Sequence, residues 1–563
     1  MKYNDQLKSL PIGIENFESM IKQDYYYVDK TLLIKELIDK QGYVHVFTRP
    51  RRFGKSLTIS MLQHYFENLK QDKAHLFDDL KIMDAGAEYL IHQNKYPVIK
   101  LILKGAEGAT FESAFKMLKM EIAREFDHHA YLLTSNSITK DKKQIFQSIL
   151  DQSANVEILQ GSLLFLSQCL FQHYGEKVII LIDEYDVPLE KAFFAKTSYY
   201  DEMVSFIRSF FGGALKTNDA LHFSVITGCL RISKESIFTG VNNLNIISIL
   251  TDSYGEYFGF TQPEVDEMLE YYEIPERSEQ MRDWYNGYHF GETIVYNPWS
   301  SLHYMTDILY GKMYLPRPHW SNTSSNSIIR QLIEIADDET RDEIELLIEG
   351  KTIKKPILED TVYADITKNM DNLWSFLFFT GYLKKVGKEQ IGVQNHLDLK
   401  IPNKEVLYIY VRQIREWFDE RVKETDMTKL FTAVLNQDVE TFEEEIAELL
   451  SESISYMDSH ENFYHGFLTG VLRGMKGYRA LSNRESGNGR GDIFLKPRNP
   501  RKVAVILEVK VAKKPQDLEK ESTAALKQID EKKYIEELEQ EGYTKIIKYG
   551  IAFYGKMCAI KKV

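Results

Sequence analysis

Short apolar runs alternate with longer stretches of helical period through the first half of the chain. YVHVFT, YPVIKLIL, KVIILIDEYD and LHFSVITG read as strands, with helical patterns between them. Such alternation predicts a parallel sheet flanked by helices. From about residue 261 to 365 the pattern is mostly helical, interrupted by the Pro- and aromatic-rich YLPRPHWSN. Residues 372–422 read helix, strand, short turn, strand, helix, through LWSFLFFTGYLKKV, HLDLKIPN and EVLYIYVRQIREWF. That order is compatible with a winged-helix-like module. A helical stretch follows to about residue 450, and the remainder has its own strand pair with flanking helices, enough for a small separate domain. The expected fold class is α/β and multidomain, divided at 1–260, 261–450 and 451–563.

The first strand runs into a basic turn, RPRRFGKS, followed by a helix on which Leu57, Met61, Leu62, Tyr65, Phe66 and Leu69 recur at helical spacing. A strand, a turn ending Gly54-Lys55-Ser56 and a helix form the P-loop arrangement. There the lysine reaches the β- and γ-phosphates, the serine hydroxyl binds magnesium, and amides at the helix N-terminus cradle the anion. Arg52, Gly54, Lys55, Ser56 and Leu57 are the candidate nucleotide contacts. Arg49 stands where a P-loop has its first glycine. Downstream, the apolar run 178–182 ends in Asp183-Glu184, as a buried parallel strand delivering carboxylates at its C-terminal edge would. In P-loop ATPases such an Asp positions magnesium and the next Glu can polarise the attacking water. Thr227, ending another apolar strand, is a candidate γ-phosphate sensor. Arg231 is a candidate cation or a link to the next domain. A cap or a surface group would account for either residue equally well.

Near the end of the chain, GDIFLKP and KVAVILEVKV form two strands joined by RNPR. Asp492 leads the first; Glu508 and Lys510, two apart on the second, share a face because side-chain direction alternates. A plain reading is a solvent-facing ion pair. The other is half of a metal site, with carboxylates holding magnesium against a scissile phosphate and a cation offsetting developing charge.

Composition narrows the field. The chain of 563 residues is 44% apolar and 27% charged, as in ordinary globular proteins. A net charge of −13 argues against a general nucleic-acid coat. Residues 471–514 nonetheless carry twelve Lys and Arg against three acids, Glu485, Asp492 and Glu508. Such an island suggests a phosphate backbone as partner. Three cysteines lie far apart, fitting a reducing compartment and giving no zinc spacing. No run approaches the roughly 18 apolar residues of a membrane helix, and MKYNDQLKSLPIG lacks a signal-peptide core. The expectation is a cytoplasmic protein without a membrane partner.

YYYVDKT, RPRRFGKS, LIDEYD, TGCLRIS, WYNGYHF, YNPWS, FTGYL and IPNKEV together resemble the bacterial and archaeal AAA-ATPase-like family over nearly the whole chain. In that family an Arg in place of the first P-loop glycine is usual, and many members carry a C-terminal nuclease-like domain. The resemblance implies a P-loop ATPase core of the signal-transduction type, with ATP and Mg²⁺ as cofactors. Gly491-Asp492 with Glu508-Val509-Lys510 resembles the PD-(D/E)XK nuclease superfamily. That likeness implies a further acidic ligand at Glu461 on an upstream helix. It also implies a downstream glutamine motif at Gln528 and Tyr534, and Mg²⁺ or Mn²⁺ at the site. The expectation is an ATPase that controls a Mg-dependent nuclease cutting DNA or RNA, DNA being the favoured partner, and able to form a homo-oligomer. The competing one is an ATP-dependent switch whose C-terminal domain binds nucleic acid or a protein without cutting.

Overall fold

The structure is a computed structural model. It describes the chain apart from residues 1–6, 69–71, 196, 232–236, 239–243, 312–314, 321–326, 360–362, 367, 392–393, 453–460, 483–491 and 533. Its contacts gather into two compact units. One holds Met1–Ser325 with Thr352–Tyr408, and the other Asn326–Lys351 with Ile409–Val563.

The first unit is built on five strands: β1 (Val44–Thr48), β2 (Val98–Ile102), β3 (Val178–Asp183), β4 (Leu221–Gly228) and β5 (Leu244–Ile247). Their order is β2-β3-β4-β1-β5, and every pairing is parallel. Helices cover the sheet, so β3 is buried along its whole length and reads as one apolar run. Four of these strands were expected; β5 was not. It is short and alternately half-exposed, and its NNLNIIS surroundings carry too weak a period to declare a strand.

Between β1 and β2 lies the Lys55–Phe66 helix, where an amphipathic face was expected. Burial extends all the way round instead, including Ser60, Gln63 and His64. The polar groups are answered locally: Phe17 N donates to Ser60 Oγ at 2.9 Å, and His64 Nδ1 lies 2.7 Å from Ser60 O. Leu69 lies outside the described residues. A hairpin, β6 (Tyr288–Phe290) and β7 (Thr293–Val295), and the Pro298–Tyr310 helix follow. The expected helix-strand-strand-helix run is present as Met370–Phe379, β9 (Lys384–Ile391), β10 (Gln394–Lys400) and Lys404–Glu424. An earlier strand, β8 (Ile353–Pro356), completes an antiparallel sheet of order β8-β10-β9.

The second unit carries β11 (Tyr478–Ser482), β12 (Asp492–Pro497), β13 (Ala504–Val511), β14 (Ile546–Tyr554) and β15 (Met557–Lys562), in chain order across one sheet. Only β13 and β14 run parallel, and the Leu518–Glu531 helix is the crossover between them. One face of the sheet packs through Phe494, Ala504 and Ile506 on that crossover helix. The other, through Leu495, Val505 and Leu507, packs on the Thr428–Asn436, Val439–Glu452 and Glu461–Arg473 helices. Among the described residues no helix is long and apolar enough to cross a membrane.

Candidate functional sites

At the C-terminal edge of β1 the chain turns through Arg52 (φ 70°) and Gly54 (φ 82°) before the Lys55–Phe66 helix begins. Positive φ suits glycine at Gly54 and is uncommon for Arg52, so the loop is held by what surrounds it. Arg49, where a small residue was missed in the sequence, turns its side chain beneath the loop and is fully buried. Nη1 donates to Thr48 O and Ile247 O at 3.0 Å each, tying β1 to β5. The guanidinium lies over Phe290 at 4.8 Å and Phe258 at 5.3 Å. Lys55 is buried, and its Nζ donates to Arg49 O (3.0 Å) and Pro50 O (2.9 Å), with Cys229 Sγ at 3.6 Å. Loop carbonyls thus hold an ammonium that has no carboxylate of its own among these contacts.

Above the loop opens a cavity of about 410 Å³, whose lining brings together Arg52, Gly54, Lys55, Ser56, Leu57 and Glu184. Asp183 and Thr227 sit behind it, both buried. β4 lies between β1 and β3, so Thr227 Oγ1 donates to Asp183 Oδ1 at 2.5 Å; Asp183 Oδ2 is buried without a hydrogen-bond partner among the described residues. A buried carboxylate oxygen left open in this way suits a divalent cation. Glu184, at φ 54°, faces the cavity; burial raises its pKa, opposed by Lys55 and reinforced by Asp183 and Asp186. Arg231 is not in the cavity lining; its Nη1 lies 3.5 Å from Glu359 Oε2.

Several residues that shape this site carried no separate signal in the chain. Asp186 Oδ2 accepts from Cys229 N (2.8 Å) and Leu230 N (3.1 Å), clamping the end of β4 to the LIDEYD turn. Arg51 pairs with Glu190 from the helix after β3. Lys30, of YYYVDKT, donates to Glu264 at 2.6 Å, and Asp29 accepts from Thr31 N and Lys81 N. That stretch could have been read as a knot, since an acid, a base and a hydroxyl stand in succession.

In the second unit, β12 and β13 pair so that Asp492 is the register partner of Glu508. Glu508 is 1% exposed. Gln528 Nε2, from the crossover helix, donates to Glu508 Oε1, and Oε2 has no hydrogen-bond partner among the described residues. The plain ion-pair reading is not what this carboxylate shows. Gly550 on β14 is the other register partner of Glu508, and a Cβ there would meet Ser522 O at 2.2 Å. Its bareness lets the crossover helix approach closely enough for Gln528 to reach Glu508. Lys510, half-buried, makes no ion pair with another described residue.

The side chains of Asp492, Glu461 and Tyr534, with Gly491, Arg484, Glu485 and Arg490, lie outside the described residues. Glu461 begins the helix that packs on the opposite face of the sheet from the crossover helix. Among the described residues no three His, Cys, Asp or Glu side chains converge as a metal cluster. The open oxygen of Glu508 and its place opposite Asp492 nevertheless fit a metal ligand. The basic island proves divided. Lys510, Lys513 and Lys514 lie at the carboxylate end of the β12–β13 hairpin, and Arg498, Arg501 and Lys502 at its turn. Four residues of strand separate Glu508 from Ala504 at the turn end, on the order of 13 Å.

Comparison with known proteins gives a family match for each of the two regions. Residues 11–238 match the AAA-ATPase-like family, described as a predicted AAA-ATPase, and residues 459–563 match the PD-(D/E)XK nuclease superfamily. The chain is also 28% identical over 407 residues to a protein of Azotobacter chroococcum mcd 1, described as an uncharacterized protein in the vnfD 5' region. The match covers 71% of this chain and 68% of that one. The chain therefore joins an AAA-ATPase-like domain to a C-terminal domain of the PD-(D/E)XK nuclease superfamily.

Proposed function

We propose that the protein is a nucleotide-controlled nuclease: the first unit binds and hydrolyses ATP, and its nucleotide state governs cutting of phosphodiester bonds, DNA before RNA, by the C-terminal domain. In this reading residues 1–260 are the ATPase, 261–450 the helical and winged-helix-like relay, and 451–563 the cutting domain, working in the cytoplasm. Lys55 exchanges loop carbonyls for phosphate oxygens, and Arg52, Gly54 and Leu57 frame the phosphates. Ser56 and Asp183 would hold Mg²⁺, with Thr227 fixing Asp183. Glu184 takes the proton of the attacking water, a task that its burial-raised pKa suits. Arg231 links the site to Glu359.

At the second site Asp492 and Glu508, joined by Glu461, would hold Mg²⁺ or Mn²⁺. A cation bound there supplies charge stabilisation at the phosphoryl oxygens. Lys510 offsets the charge that develops on the phosphate, and Gln528 holds Glu508 in place. The observation that carries the cutting activity is Glu508, a buried carboxylate held on one oxygen by Gln528 and open on the other. A strand carboxylate serving only as a surface ion pair would be neither buried nor open.

The test is incubation of purified protein with plasmid, linear duplex, single-stranded DNA and RNA in Mg²⁺ or Mn²⁺. Cleavage lost in Glu508→Ala and Lys510→Ala is the expected result, and Gln528→Ala is expected to cost roughly 10–100-fold, as loss of a ligand-orienting partner does. No cleavage of any substrate, with nucleic-acid binding intact in the variants, would replace this reading with the binding-only switch.

A further inference from the structure

The antiparallel sheet β8-β10-β9 of the first unit is strongly basic. Its strands carry Lys354, Lys355, Lys384, Lys385, Lys388 and Lys400 against two acids, Glu389 and Asp398, in a chain of net charge −13. Where β9 begins and β10 ends, Lys384 and Lys400 are register partners. Partners across an antiparallel pair point to one face with Cβ atoms roughly 5 Å apart, and like charges so placed repel. Both lysines are half-buried, and the side chain of neither has an ion pair or hydrogen bond with another described residue. Nearby carboxylates are engaged elsewhere: Glu292 lies 3.1 Å from Lys385, Asp283 2.6 Å from Lys404, and Asp398 4.0 Å from Lys354.

The Lys384 ammonium sits against the chain that enters the β6–β7 hairpin. Gly287 has φ 94°, and a Cβ there would meet Pro402 O at 2.6 Å and Lys384 Nζ at 3.0 Å. A bare glycine leaves the space that this ammonium uses. Burial lowers the pKa of Lys384, and Lys400 lowers it further. On the hairpin itself, burial lowers the pKa of half-buried His289, then Lys384 and Lys385 add to the fall, with Glu292 opposing. Three basic groups thus share one place partly out of water, a cost that a bound anion offsets. None of them lines the P-loop cavity. The Met370–Phe379 helix stands where a helix-strand-strand-helix module would have its groove-reading helix, but it is buried from Asn372 to Phe379 and offers no such face.

We propose that Lys384 and Lys400, with His289 beside them, form a phosphate-binding notch that belongs neither to the P-loop cavity nor to the strands bearing Glu508. A phosphate group offers several acceptor oxygens, enough to accept from both ammonium groups at once and turn their repulsion into shared attraction. A nucleic-acid backbone and a free phosphate ester or pyrophosphate present this same group. A backbone would also continue along the other lysines of the sheet.

The test is amine acetylation of the full chain, read lysine by lysine by mass spectrometry, with a chelator present so that nothing is cut. The probes are pyrophosphate, a single-stranded DNA oligonucleotide without a terminal phosphate, and acetate at matched ionic strength. A saturating phosphate probe is expected to slow acetylation of Lys384 and Lys400 roughly fivefold or more, since only the free site reacts. Exposed Lys22 and Lys216 should keep their rates. Protection by pyrophosphate alone assigns a free phosphate, by the oligonucleotide alone a backbone, and by both a notch that takes either. Lys400→Met keeps the stem and removes one of the two like charges, so it is expected to unfold at the temperature of wild type or above and to lose the protection at Lys384. Unchanged rates with both phosphate probes, equal slowing by acetate, or protection of Lys384 that persists in Lys400→Met would each overturn the proposal. Protection confined to Lys55 would also overturn it while leaving the nucleotide reading of the P-loop intact.

Discussion

Arg49 and Glu405 are two fully buried charged residues, and each is tolerated for a different reason. Arg49 has two carbonyls and two phenylalanine faces around it but no carboxylate, and burial brings its pKa down to about 9. It therefore stays charged at neutral pH, with its charge spread over carbonyl dipoles and aromatic quadrupoles. Glu405 Oε1 accepts from Ser300 Oγ (2.9 Å) and Trp320 N (2.8 Å), yet burial still pushes its pKa up to about 7, and Oε2 is without a hydrogen-bond partner. A carboxyl whose folded pKa lies above its unfolded value of 4.5 adds stability that is fully present below pH 4.5 and lost as pH rises through about 7. Glu405→Gln keeps the acceptor and removes the titration. Its stability relative to wild type should improve between pH 5 and 8 by about 2–3 kcal/mol, read from urea unfolding at the two pH values. A difference that does not change with pH would mean that Glu405 does not titrate in this range.

At the scale of elements, a close approach in the second unit is made at Gly550. Adding a Cβ there forces the crossover helix away from β14, because the opposing atoms are backbone, Ser522 O at 2.2 Å and Leu526 N at 2.7 Å. Gly550→Ala is expected to destabilise the domain by about 1–3 kcal/mol and to lower cleavage more than nucleic-acid binding, because Gln528 is carried off Glu508. Unfolding curves and cleavage rates on one preparation check both, and unchanged values would mean that the helix can move without loss. The elements that carry the candidate residues were legible because their apolar runs stop at residues a buried strand would not otherwise carry: Gly54-Lys55-Ser56, Asp183-Glu184, and Glu508 with Lys510. β5 was not legible, since four residues, of which Ile247 alone is buried, have too little period. The Lys55–Phe66 helix was misread as amphipathic because Ser60 and His64 satisfy their polar atoms inside the fold. The basic island looked continuous only because a hairpin lays distant ends side by side in sequence. Trp299 carries no catalytic signature, and only folding brings it to the P-loop cavity.

At the scale of the molecule, the chain does not divide in simple succession. Asn326–Lys351 groups with the C-terminal residues, and Thr352–Tyr408 returns to the first unit. Reading along a sequence presumes contiguous domains, so this interleaving left no mark in the pattern. The Lys404–Glu424 helix carries the chain from one unit into the other. Near its start Glu405 is bonded to Ser300, the neighbour of Trp299 in the cavity wall. The proposed control of the C-terminal domain by ATP is what remains to be tested along this stretch of chain. The most direct measurement is the Mg²⁺-dependent cleavage rate across an ATP titration, in wild type and in Lys55→Ala, with Glu508→Ala as the uncut baseline. The expected result is a rate that changes with ATP in wild type and stays flat in Lys55→Ala. A wild-type rate indifferent to ATP, with cleavage still dependent on Glu508, would contradict it and leave two unconnected activities on one chain.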